Sequence, residues 1–130
     1  MTDMISLMRE WLDMLASGPA EAWNGKVAHD VVIRLPYAPP GVANELSGFD
    51  HARDAMSAVW KGKQRFTWHD VVIRRTEDPE LLVTTARSEA LMVDGRHYAN
   101  DYVILTRIRD GKVLEHIEYF NPLPVMALFE

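Results

Sequence analysis

The sequence predicts an α+β domain in which helices come first and a long antiparallel meander comes second. Three observations carry this reading. Apolar residues recur at helical spacing near the N-terminus, extended runs fill the chain from Phe66 onward, and Asp-Gly pairs separate the last three of them. The expected architecture is about three N-terminal helices packed on a curved, mostly antiparallel sheet. A cone-shaped hollow between the layers would form an internal pocket.

Residues 3–17 place Met4, Met8, Trp11, Leu12 and Leu15 on one stripe, with Asp3, Arg9, Glu10 and Asp13 on the other side, as an amphipathic helix requires. Gly18-Pro19 ends it. Pro19 suits the first position of a short second helix through Trp23, and Asn24-Gly25 then breaks the chain. Val31 to Leu35 reads as a β-branched strand. Pro36, Pro39 and Pro40 force it out of the sheet into a long loop reaching Leu46, which is either the mouth of a site or a plain connector. Ser47 with Asp50 resembles a capping box, and Phe49, Ala52, Met56, Val59 and Trp60 form the stripe of a third helix ending at Gly62. The extended runs are Phe66 to Arg75, Leu81 to Val93, His97 to Arg109 and Lys112 to Phe120. Asp94-Gly95 and Asp110-Gly111 tolerate the positive φ of hairpin turns, so the last three runs form a meander. Pro122 and Pro124 stop the final strand. The apolar tail 125–129 is expected to pack on the sheet or on a second subunit.

A length of 130 residues implies one domain, 1–130, able to bury roughly two-thirds of its unfolded surface. Fourteen basic against nineteen acidic side chains give a net charge of −5 with no basic stripe, which argues against nucleic-acid and anionic-membrane partners. With no cysteine, disulfide and thiolate chemistry are excluded, in keeping with a reducing compartment. Charges at Asp3, Arg9, Glu10 and Asp13 interrupt the N-terminal helix, so it reads as neither a signal peptide nor a membrane span, and the expected location is cytoplasmic.

Phosphate-binding glycine motifs and nucleophile elbows are absent, which leaves carboxylate, imidazole and guanidinium chemistry. The decisive stretch is Leu114 to Pro122. Alternation puts Leu114, His116, Glu118 and Phe120 on one face and Glu115, Ile117 and Tyr119 on the other, and both faces carry apolar groups. If the first face is inward, desolvation favours the protonated carboxyl of Glu118 and suits it to proton transfer; if outward, Ile117 and Tyr119 are the core contacts. His116 and Glu118 could chelate a metal, but no third ligand is apparent; neither a metal nor any other cofactor is expected. Arg87 and Glu89 share a face of their strand. They are either a second carboxyl and its orienting cation beside Glu118, or part of an exposed charge ladder. Tyr98, Asn100 and Tyr102 form one set and His97, Asp101 and Leu105 the other; the reading favours Asn100 inward, where it and Tyr102 could hold a substrate oxygen. Trp11, Trp23 and Phe120 are candidate pocket walls, and Trp11 with Trp23 is alternatively plain core.

These residues resemble the SnoaL-like proteins of the nuclear-transport-factor-two superfamily over essentially the whole chain. The segments carrying the likeness are VVIRLPYAPPG, GFDHARDAM and RIRDGKVLEHIEYFNPL. Polyketide cyclases of this group carry a His-x-Asp pair that His116-Ile117-Glu118 matches, with Glu in place of Asp. A glutamate followed by Tyr-Phe-Asn-Pro is more similar to the phenazine-biosynthesis A/B proteins. Arg87-Ser88-Glu89 with Glu118 resembles the Arg-x-Asp pair and last-strand Asp of limonene epoxide hydrolase. Each carboxylate here is a methylene longer, and Tyr37 stands for the water-holding tyrosine. Ketosteroid isomerase belongs to the same superfamily. The resemblance implies a small hydrophobic substrate, proton transfer without a cofactor, and a homodimer.

Two functions follow as expectations. The first is an enzyme catalysing isomerisation, cyclisation or hydrolysis, with Glu118 as acid/base and Arg87, Glu89 and His116 in support. The second is a ligand-binding or dimerisation module without catalysis, in which those polar groups satisfy one another. An apolar outer sheet face at Val103, Leu105, Ile117 and Tyr119 would favour a second copy as partner.

Overall fold

The computed structural model describes residues 3–18 and 20–129. Pro19, expected to open the second helix, lies outside them. Helix α1 (Met4–Ser17) is followed by a single 3-10 turn (Ala20–Trp23), strands β1 (Val27–Arg34) and β2 (Glu45–Ser47), and helix α2 (Phe49–Lys61). Strands β3 (Lys63–Arg75), β4 (Leu81–Met92), β5 (His97–Arg109) and β6 (Lys112–Phe120) then lead to helix α3 (Pro122–Ala127). Among the described residues, two α-helices precede the meander, because the segment before Trp23 makes one 3-10 turn; the third α-helix is C-terminal. It forms in the apolar tail, where the Asn121 side chain accepts the Leu123 N–H at 3.0 Å and Pro122 stands where no donor is needed.

The six strands lie in the order β2-β1-β6-β5-β4-β3, antiparallel except for the β1–β6 pair. Strand β2, unforeseen in the sequence, pairs Leu46 with Ile33 and returns the proline-rich loop to the sheet. The Ser47 capping box does not form. Ser47 belongs to β2, its hydroxyl lies 3.5 Å from Glu45 Oε2, and α2 starts from Gly48 at φ 91° without a side-chain cap.

Helix α1 packs Leu7, Met8, Trp11, Leu12 and Leu15 against the inner sheet face, with Trp11 and Met8 wholly buried. Its end is fixed sterically. Gly18 adopts φ 75°, and a Cβ there would lie 2.4 Å from the Trp60 ring, so both handedness and close approach require glycine. Two irregularities set which residues face inward. At Asp70 (φ 53°) the β3–β4 register shifts, so Trp68 and then Val71 and Ile73 pack against the core. On β6, Leu114 is an extra residue between the Glu115–Arg107 and Val113–Ile108 pairs. Val113 therefore takes the buried place that simple alternation assigns to Leu114. Among the described residues, no helix is long and apolar enough to cross a membrane.

Candidate functional site

His116, Glu118 and Phe120 face inward from β6. Cross-strand pairing places Glu118 beside Ile104, itself beside Thr84, both fully buried. A cavity of about 610 Å³ opens between this sheet face and the helices, within the roughly 300–1,000 Å³ of small-molecule sites. Its lining includes Glu118, His116, Phe120, Tyr98, Tyr102 and Lys63. Phe66, Trp68 and Tyr102 make a continuous aromatic wall, with edge-on ring centroids 4.8 and 5.1 Å apart. Residues Val125, Leu128 and Phe129 complete it from the C-terminal segment. Arg96 holds that segment in place, donating to the Ala127 and Leu128 carbonyls at 3.2 and 2.9 Å and to Asp94 at 2.9 Å.

The strongest polar geometry runs from the core into this cavity. Trp11 Nε1 donates to His116 Nδ1 at 2.9 Å, and His116 Nε2 lies 3.1 Å from Glu118 Oε1. An indole N–H can only donate, so Nδ1 must present a lone pair. The neutral ring therefore carries its proton on Nε2 and donates it to the carboxylate. His116 is 3% exposed and Glu118 19%, so the pair is anchored in the core and opens at the carboxylate. Such an arrangement aims one carboxylate oxygen while leaving the other to meet a ligand.

Phenols lie nearby. Asn100 Nδ2 donates to Tyr98 Oη at 2.8 Å, Tyr98 and Tyr102 hydroxyls are 3.4 Å apart, and Tyr102 Oη is 2.8 Å from Ser88 Oγ. Burial pushes both phenols above their ordinary pKa; for Tyr102 the neighbouring Tyr98 and Glu118 add to it. Both remain neutral hydrogen-bond donors. Burial also pulls Lys63 below the usual lysine range, opposed by the Glu118 charge.

The sequence-derived candidates separate into two groups. Glu118, His116, Phe120 and Tyr102 meet at the cavity. Asn100 lies on the inner face behind it, where its amide is spent on structure: besides Tyr98 it holds the Asn121 carbonyl at 2.8 Å and accepts from Asn121 N at 2.9 Å. Trp11 is buried behind His116, acting through that ring and not as cavity wall. Arg87 and Glu89 do not join Glu118. The inward residues of β4 are the buried Leu82, Thr84, Ala86, Ser88 and Ala90, which turns the odd-numbered side chains to the outer surface. There Arg87 lies between Asp70 (3.4 Å) and Asp101 (3.3 Å), and Glu89 lies 3.5 Å from His69. Tyr37 is also outside, 58% exposed and stacked edge-on with Tyr119 at 5.5 Å. Prolines on either side carry it away from the inner face.

Lys63, Phe66 and Trp68 were not among the expected site residues. Lys63 sits in the basic run Lys61-Gly62-Lys63-Gln64-Arg65, between the helix expected to end at Gly62 and the strand expected from Phe66, whereas β3 already starts there. The alternation of Phe66 with Trp68 was the available signal.

The comparisons agree with this architecture. A Pseudomonas aeruginosa protein described as uncharacterized and PhzA/B-like is 29% identical over 119 residues, covering 86% of this chain and 79% of that protein. A solved Bacillus subtilis structure, provisionally named an isomerase, superposes with a TM-score of 0.86 at 20% identity, covering 96% of this chain and 91% of its own. A nuclear-transport-factor-two-like protein from Burkholderia xenovorans gives 0.77 at 14% identity, covering 95% and 92%. The SnoaL-like domain family matches residues 8–116. With most of its length inside that match, the chain belongs to the SnoaL-like family.

Proposed function

We propose that the cavity binds a small hydrophobic molecule and that Glu118 transfers a proton to or from it, in an isomerisation, cyclisation or hydrolysis. The observation that carries the reading is the Trp11–His116–Glu118 chain, which delivers one oriented carboxylate to an otherwise largely apolar, aromatic-walled cavity. In this reading Tyr102 and Tyr98, kept neutral by burial, donate to a substrate oxygen as charge develops on it. The isomerase name of the Bacillus subtilis neighbour supports this class of reaction. No cofactor enters the scheme.

The test is turnover of cyclic ketones, epoxides and polyketide-like compounds by the wild type and Glu118→Gln. A positioned acid/base is worth roughly 10²–10⁴-fold, so the variant should lose that factor on any active substrate. Unchanged turnover removes Glu118 from its role.

One observation favours a second reading, a binding module without catalysis: Ser88, Tyr102, Tyr98 and Asn100 already satisfy one another. In that case ligands bind and none is converted. Under either reading a homodimer is proposed through the outer sheet face. Val103 pairs there with Tyr119 and Leu105 with Ile117, an apolar patch suited to a second copy. Sedimentation should give twice the chain mass, and Val103→Glu should return the monomer.

A further inference from the structure

The cavity lining carries a charged group that is outside any ion pair among the described residues and for which acid/base chemistry at Glu118 has no use. Lys63 enters from the first residue of β3, with β4 and β5 between it and Glu118 on β6. Its Nζ lies 4.5 Å from the centroid of the Phe66 ring, and among the described residues it makes no ion pair. The other cation on the lining, Arg96, is already committed to Asp94 and to two carbonyls of the C-terminal segment. An ammonium on a largely apolar lining, half-buried and compensated mainly by a ring face, is poorly solvated. Burial accordingly disfavours its charge, and the Glu118 carboxylate that opposes this is itself hydrogen-bonded to His116.

We propose that Lys63 is an anion subsite, and that the preferred ligand is amphiphilic: an apolar body lying along Phe66, Trp68 and Tyr102 and ending in a carboxylate held by Lys63 Nζ. This deepens the reading of the cavity as a ligand site and rests on it. The two charged groups come from separate strands, so the ligand's acid end and its reacting carbon occupy different parts of the cavity. A carboxylate at Lys63 supplies the direct ion pair that no described residue provides, and a neutral ligand of the same shape does not.

The experiment is isothermal titration with 2-naphthoate and with 2-naphthamide, which differ mainly in charge, against wild type, Lys63→Met and Lys63→Arg at neutral pH and low salt. The wild type should bind the carboxylate at least tenfold more tightly than the amide. Lys63→Met should keep its amide affinity within about threefold and lose the carboxylate preference, while Lys63→Arg, which retains the charge, should keep part of it. Should Lys63→Met fail to fold by circular dichroism, Lys63→Gln makes the same comparison. Equal binding of both probes by the wild type, or a preference that survives removal of the charge, overturns the subsite and leaves the cavity reading intact. Failure of both probes to bind overturns the cavity reading and the subsite with it.

Discussion

Replacing Trp11 by Phe isolates the hydrogen bond on which the orientation of His116 depends. The side chain is wholly buried, and its only polar atom donates to His116 Nδ1 at 2.9 Å. Phe keeps a ring in the core and deletes the donor, leaving Nδ1 unpaired on a side chain only 3% exposed. An orphaned buried acceptor costs about 1–3 kcal/mol. The lost indole volume adds about 1–2 kcal/mol of cavity cost. The sum, about 2–5 kcal/mol, is a large part of the 5–15 kcal/mol typical of a domain, so urea unfolding should show it plainly while the variant still folds. The second readout is the tautomer. Long-range ¹H–¹⁵N spectra of the wild-type histidines should place the His116 proton on Nε2, with Nδ1 bare. A wild-type proton on Nδ1 would refute the reasoning, since an indole N–H cannot donate to a protonated nitrogen. A stability loss below about 1 kcal/mol would refute it too.

Other outcomes follow from the same geometry. Gly18→Ala forces a Cβ into the left-handed region and against the Trp60 ring, and should cost about 2–4 kcal/mol in urea unfolding. Asn100→Ala breaks the clamp between β5 and the turn into α3, and should cost about 2–4 kcal/mol while speeding hydrogen exchange at Leu123. Arg107 beside Asp78 and Arg109 beside Glu80 hold those carboxyls below the usual carboxylate range. Because the folded values are depressed, this stability is present above the unfolded values near pH 4 and is lost as pH falls through the folded ones. Urea midpoints should therefore drop in acid, and Arg107→Gln with Arg109→Gln should flatten that limb.

Much of the fold was legible because local signals were strong. The stripe Met8, Trp11, Leu12 and Leu15 marked the buried face of α1, and the meander strands begin and end within a few residues of the expected runs. Register was harder. Asp110-Gly111 forms the tight turn that its residues suggest, with φ of 54° and 73° and Arg109 opposite Lys112. Asp94-Gly95 instead belongs to a three-residue loop closed by Met92 N–H donating to Arg96 O, which shifts β5 by one place against β4. The extra residue at Leu114 shifts β6 by one against β5. Between β4 and β6 the two slips leave the same parity. Arg87 and Glu89 thus face away from Glu118 whether or not the bulges are foreseen, and the small residues Ala86, Ser88 and Ala90 already marked the inward side. Nothing local revealed Lys63 as a cavity residue, because only the pairing of β3 with β4 draws that basic run into the sheet.

The central claim is that Glu118 moves a proton on a molecule held in the cavity. Its most direct measurement is deuterium uptake at the α-carbon of 2-tetralone in D2O, followed by NMR with wild-type protein, Glu118→Asp and Glu118→Gln. The wild type should exchange the α-protons well above the buffer rate, Glu118→Asp should retain a fraction, and Glu118→Gln should fall by roughly 10²-fold or more. Exchange at the buffer rate with wild-type protein that has bound the ketone, or equal exchange with Glu118→Gln, would contradict it.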